Sequence, residues 1–292
     1  MKNTFTLLFA FVATVAFGQD YAFKVLANKG SNEIKTNGAW TPLKTGASLR
    51  AGDELRLSPN GYIGLVHKMG KPLEVKTPGN YAVTQLESQV KSGSGILAKY
   101  TDFILSNSSP EAKKNQLNAT GAVNRGEYHA IRLALPEHAG VYHNVATIGW
   151  GGDDIKAPFI VTVVNMFDEE LAIYETEQTT IQLDMNDTKF AKQNAVIIEV
   201  KSKVDPNQSS KRHMIKKLTV ADQAGIQKSL TEINTEVQDE TALNSIILAS
   251  FYEQNKLYID AIGAYEDAIR LAPDVLAYQE SYTSFLTRNG LR

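Results

Sequence analysis

The spacing of apolar residues changes once along this chain, and that change bounds every fold it can reach. From Phe23 to Val200 the apolar side chains come in short runs broken by Gly, Pro, Asn and Asp, the punctuation of strands and tight turns. After Thr219 they recur every three to four residues, the period of an amphipathic helix. A chain of 292 residues divided this way reads as multidomain β plus α.

Composition removes whole classes of chemistry. Cys is absent, which excludes disulfide frameworks, thiolate zinc sites, thiol nucleophiles and cysteine-held iron–sulfur clusters. It also excludes a lipid carried on an N-terminal Cys, so a lipoprotein is not expected. Lys and Arg number 30 against 32 acidic residues, a net charge of −2 that offers no large field to nucleic acid or anionic lipid.

Lys2 is the only charge before Asp20, and an apolar run from Phe5 to Phe17 ends at the small residues Ala16 and Gly18. This predicts an export signal over residues 1–18, cut after Gly18, with an uncleaved anchor as the alternative. The run is shorter than the ~20 apolar residues of a spanning helix. The expectation is a soluble protein, periplasmic or secreted, with no stable membrane insertion after cleavage.

Residues 19–90 read as a small β-sandwich or barrel of short strands without helix. Asn37-Gly38 between Glu33-Ile34-Lys35 and Ala39-Trp40-Thr41 suits the positive φ angles of a tight hairpin. Trp40-Thr41-Pro42-Leu43, then Gly46-Ala47-Ser48-Leu49-Arg50-Ala51-Gly52-Asp53-Glu54-Leu55 and Asn60-Gly61-Tyr62-Ile63-Gly64-Leu65, resembles the FecR-like domain. That resemblance implies an envelope-located β module that meets other proteins or wall polymers. The membrane helix through which the family's namesakes signal has no counterpart here.

Residues 91–126 read as a short helix, with Ile96, Tyr100, Phe103 and Ile104 on one face, and then a linker poor in large apolar side chains. Residues 127–204 carry six strand patterns and read as a second sandwich. Their order is similar to that of fibronectin type III or immunoglobulin-like domains. A hinge is expected over 205–218, where Lys211-Arg212-His213 and Lys216-Lys217 form the one basic cluster.

Residues 219–292 predict four helices. Leu248-Ala249 and Tyr252 on one, and Ala261, Tyr265, Ala268 and Pro273 on the next, resemble a tetratricopeptide repeat over Ala242–Val275. Ala249, Ala261 and Ala268 let the helices approach, so these are packing positions. The resemblance implies that Leu243, Ile246, Ser250, Glu253 and Gln254 face a groove. The preceding helix, through Ile226, Leu230 and Ile233, is one candidate to cover Leu243 and Ile246; a partner peptide is the other. Exposed groove residues predict that Glu253→Ala with Gln254→Ala changes stability by no more than about 0.5 kcal/mol.

No catalytic, metal or cofactor residues are assigned. His129, His138 and His143 lack helical i, i+4 spacing. The run Gly149-Trp150-Gly151-Gly152-Asp153-Asp154 lacks the Lys-Ser/Thr of a phosphate loop and reads as a hairpin turn. Asp168-Glu169-Glu170 reads as a solvated turn, and neither G-x-S-x-G nor H-E-x-x-H occurs. The function expected is that of a non-enzymatic envelope adaptor binding envelope proteins or peptide segments. The rival is a peptidoglycan or polysaccharide binder using Trp40, Tyr62 and Trp150, with an envelope hydrolase behind it.

Overall fold

The computed structural model describes residues 21–90, 95–107, 129–237 and 239–291. The expected export signal, and the expected linker from residue 108 onward, lie outside them. The chain is β plus α in several units, with four sheets followed by a helical end. Among the described residues no helix is long and apolar enough to cross a membrane.

The first β unit holds β1 (Phe23–Lys29), β2 (Glu33–Thr36), β3 (Ala39–Pro42), β4 (Ser48–Leu49), β5 (Glu54–Leu57), β6 (Tyr62–His67), β7 (Pro72–Val75) and β8 (Gly79–Ala82). They form two four-stranded sheets, ordered β4-β1-β6-β7 and β3-β2-β5-β8. Phe23, Val25, Leu49, Leu55, Ile63 and Leu65 fill the core they share. Asn37 and Gly38 take φ of 53° and 87°, the left-handed pair that turns β2 into β3. Asp53 is buried at the corner before β5, where it accepts from Thr36 Oγ1 and the Arg50 amide, both at 2.8 Å. A seven-residue helix, α1 (Val83–Gln89), ends this unit and buries Val83 and Leu86. The strand-only expectation misses it because two apolar residues do not register a helical period.

The second β unit holds β9 (Arg132–Leu133), β10 (His138–Val141), β11 (Val145–Gly151), β12 (Phe159–Val164), β13 (Glu170–Thr176), β14 (Thr180–Asp184), β15 (Ala195–Ser202) and β16 (His213–Lys217). Its sheets are β10-β16-β15-β12-β13 and β14-β11-β9. The expected hinge over 205–218 is therefore wrong for its second half. β16 lies inside the five-stranded sheet, antiparallel to β15 and parallel to β10. His213 and Ile215 face the interior, while the basic residues between and beside them hid the alternation. Those charges are also paired: Lys211 with Glu137 at 2.9 Å, and Arg212 with Asp168. Lys217 Nζ donates to the Phe190 carbonyl at 3.1 Å.

The helices are α2 (Ala98–Asn107), α3 (Val220–Glu236), α4 (Ala242–Gln254), α5 (Tyr258–Leu271) and α6 (Leu276–Arg288). Thr219 and Thr241 cap α3 and α4 by accepting from the Asp222 and Asn244 amides, each at 3.2 Å. Ala249 on α4 and Ala261 and Ala268 on α5 are buried where these helices pack together. One apolar core runs from these helices through Tyr100 and Ile104 of α2 into Leu26, Tyr62 and Val66 of the first β unit.

Candidate functional site

The face of α4 expected to form an open groove is filled by the chain itself. Leu243, Ile246 and Ser250 are fully buried and Glu253 is nearly so; only Gln254 is part-exposed. Ile246 shares a small cavity with Leu26 of β1 and with Phe103 and Ile104 of α2. Ser250 Oγ donates to the Tyr100 carbonyl at 3.2 Å, and Gln254 Nε2 to Ser250 Oγ at 3.5 Å. The Leu243 amide donates to Glu74 Oε1 of β7 at 2.9 Å, so a carboxylate satisfies an orphan donor at the start of α4. These five residues are therefore packing and bonding positions and are withdrawn as a binding site. Neither candidate cover accounts for them alone. Leu230 of α3 borders the cleft that Ser245 and Leu248 of α4 also line, while α2 and the first β unit occupy the expected groove.

The second β unit is latched to the helical end through Asp260, in the first turn of α5. Its side chain is wholly buried and accepts three bonds: from the Tyr142 amide at 2.9 Å, and from the His143 amide and His143 Nδ1 at 2.8 Å each. The His143 ring meets Tyr252 edge-on at 5.6 Å while keeping 56% of its side chain exposed. An imidazole held by a buried carboxylate has the form of a general-base pair, yet it also fastens the β10–β11 turn to α5. Among the described residues no group of three or more His, Asp or Glu is placed to hold a metal ion.

This latch brings α5 and α6 against the outer face of the three-stranded sheet. Ala146, Ile148 and Trp150 of β11 point into the core. Thr147, Gly149 and Gly151 consequently stand on the opposite face. Thr180 and Gln182 of β14 pair with Gly149 and Thr147 and share that face. Between this sheet and the helices lies a trough of about 1020 Å³, with Glu266, Tyr282 and Leu286 among its helical lining and Arg132 of β9 among its sheet lining. Its floor is bare at Gly151, where a Cβ would meet nothing within 4 Å. A second cleft of about 700 Å³ includes His143, Asp260 and Arg270, and it shares Thr147, Gln182 and Glu266 with the trough.

The trough has a mixed polar and apolar lining, with the half-buried acid Glu266 on its helical wall. Burial lifts the Glu266 carboxyl above the ordinary 4.5, against a 3.4 Å hydrogen bond from the Tyr282 hydroxyl that favours the charged form. Burial in turn raises the Tyr282 phenol well above its usual range. Other expected features are not open surfaces. Tyr62 and Trp150 are buried, and Trp40 carries the Arg56 guanidinium 3.9 Å from its ring centre. None of the three is a free platform for a sugar. The Gly149–Asp154 run is not a hairpin: Gly149 and Gly151 lie within β11, and the chain then crosses to β12 in the other sheet. Two glycines two residues apart on a strand were the available signal for a bare face, but the helical wall comes from residues more than a hundred positions away.

No protein-family model matches the sequence, and no curated protein is significantly similar to it.

Proposed function

We propose that the chain is an exported, non-enzymatic cell-envelope adaptor. In this reading a FecR-like β-sandwich, a second immunoglobulin- or fibronectin-like sandwich and a tetratricopeptide-like helical end hold one recognition surface. The observation that carries it is the trough between the β9–β11–β14 sheet and α5 and α6. Its size suits an extended protein segment, and its mixed lining, with Arg132, Glu266, Thr180 and Gln182 beside Ile181, Tyr282 and Leu286, suits the alternating polar and apolar groups of a peptide. The helical groove that would ordinarily serve this purpose is taken up in joining the units.

The test is to plug the trough without disturbing the fold. Gly151 has no neighbour in the direction of a side chain and no positive φ, so Gly151→Trp is tolerated by the sheet and projects into the cavity. Mature wild-type protein immobilised against envelope extract enriches the same partner in replicate pull-downs, and the plugged variant loses it at an unchanged melting temperature. Equal capture by both proteins places recognition elsewhere. Turnover of a wall or peptide substrate by the wild type, lost in the plugged variant, replaces the adaptor with an enzyme.

A further inference from the structure

We propose that the free edge of β14 takes up an extended polypeptide segment as a fourth strand of the β9–β11–β14 sheet, inside the trough. The proposal rests on the adaptor reading and specifies how the partner segment is held.

The register of the sheet identifies which backbone groups are free. The β11–β14 pairing continues at both ends, where the Trp150 amide donates to the Thr179 carbonyl at 2.9 Å and the Met185 amide to the Asn144 carbonyl at 2.5 Å. Bonded and non-bonded pairs alternate in an antiparallel ladder. The even-numbered residues of β11 therefore bond to Ile181 and Leu183. Thr180 and Gln182 turn their amides and carbonyls the other way, and among the described residues β14 has no strand on that side. β13, which precedes it, belongs to the other sheet and pairs with β12. Five consecutive residues, Gln178 to Gln182, line the trough together with Tyr174 to Thr176 of β13, whereas a strand seen face-on offers alternate ones. The cavity is thus bounded by the edge of β14.

That edge is lightly guarded. Thr180-Ile181-Gln182-Leu183-Asp184 contains neither Pro nor Lys, its one charge is Asp184 at the far end, and its ladder with β11 runs without a register shift. Native proteins ordinarily blunt such an edge with charge, especially Lys, or with Pro or a bulge. An edge left open beside a preset cavity is the geometry of strand addition, in which main-chain bonds hold the ligand and alternate side chains are read by the walls. One set of those side chains faces Glu266 and Tyr282, so a Lys, Arg or amide side chain is preferred there. Glycans and lipids lack the alternating amides that would match Thr180 and Gln182.

The experiment pans a displayed library of short random peptides against the mature chain, then scans the best binder with backbone N-methyl groups. Strand addition predicts a period of two: methylation weakens binding roughly tenfold at every second residue and little between. Gln182→Pro, which removes an outward amide and spares the ladder to β11, loses the peptide, whereas Gln182→Ala retains it. Selected peptides that tolerate methylation throughout, or show a helical period, overturn strand addition and leave the adaptor reading standing. A chain that selects no peptide also overturns it, and the extract pull-down with Gly151→Trp then decides the adaptor reading separately. The methyl scan alters only the ligand, so it decides the question even if Gln182→Pro fails to fold.

Discussion

Glu253→Ala provides the sharpest test of how the helical end is built. An open groove would leave Glu253 solvated and its loss close to neutral. The structure instead surrounds its carboxylate with Arg288 of α6, whose Nε and Nη2 donate at 3.0 and 2.8 Å. Asn289 Nδ2 donates at 2.9 Å and the Tyr265 hydroxyl at 3.4 Å. The Glu253 side chain is 5% exposed and that of Arg288 21%. Breaking a fully buried pair from one side costs about 3–5 kcal/mol, because a charge is left without its partner. Arg288 keeps some solvent, so about 2–4 kcal/mol is expected here, well above the ~0.5 kcal/mol of an ordinary surface change. Chemical denaturation followed by helical circular dichroism reads the difference. Arg288→Met alone and combined with Glu253→Ala completes a double-mutant cycle, in which coupling of at least ~1 kcal/mol is expected. A single-mutant loss below about 0.5 kcal/mol, or no coupling, would refute the arrangement of α4, α5 and α6 given above.

Three further outcomes follow from the same geometry. Asp260→Asn replaces one acceptor oxygen by a donor facing amides, so a loss of about 1–3 kcal/mol is expected, with faster amide exchange confined to the β10–β11 turn and the start of α5. Exchange rates unchanged at Tyr142 and His143 would show that the latch holds nothing. Gly70 has φ of +85°, and a Cβ there would lie 2.3 Å from the Ala98 amide nitrogen, so Gly70→Ala should push α2 off the first β unit and lower the melting temperature. A melting temperature at or above wild type contradicts that contact. For Glu266 the folded pKa is raised by burial, so the stability it contributes is present below the unfolded value near 4.5 and is lost as pH rises through the folded one. Glu266→Gln should therefore gain on the wild type as pH rises above 4.5; a pH-independent difference would argue against a half-buried carboxyl.

The elements that a local period can encode were legible. Helix α4 carries Leu243, Ile246, Ile247, Ala249, Phe251 and Tyr252, all buried, so it is apolar around its whole circumference. Such a pattern reveals a helix covered on every side but cannot say which cover is this chain and which a ligand. That is why the groove reading failed while the helix itself was found. β16 failed for the opposite reason: Lys211, Arg212, Lys216 and Lys217 surround two inward side chains and read as a solvated hinge. The trough was beyond reach because its sheet face depends on register and its far wall on α5 and α6. Register can be derived from the sequence only when the partner strand is already known.

Which surfaces remain for recognition follows from how the first β unit is spent. Tyr62 of β6 donates to Glu74 Oε1 at 2.7 Å, and its oxygen lies 2.6 Å from the Tyr278 hydroxyl of α6, 216 positions away. Tyr62 has one proton and gives it to the carboxylate, so Tyr278 donates to Tyr62 and the bonds run in one direction from α6 to Glu74. The same carboxylate receives the Leu243 amide, and Lys76 lies 2.5 Å from its other oxygen. Burial raises both phenols above their usual range, so this ordered chain of protons persists into alkaline solution. Opening the helical groove to a peptide would expose Leu243 and Ile246 and break the network at the same time. No such rupture is needed at the trough, where Gly151 leaves the sheet face bare and, among the described residues, no strand pairs with the outer edge of β14. Affinity there loses little to reorganisation, and a segment bound at the trough leaves the junction between the first β unit and the helices undisturbed.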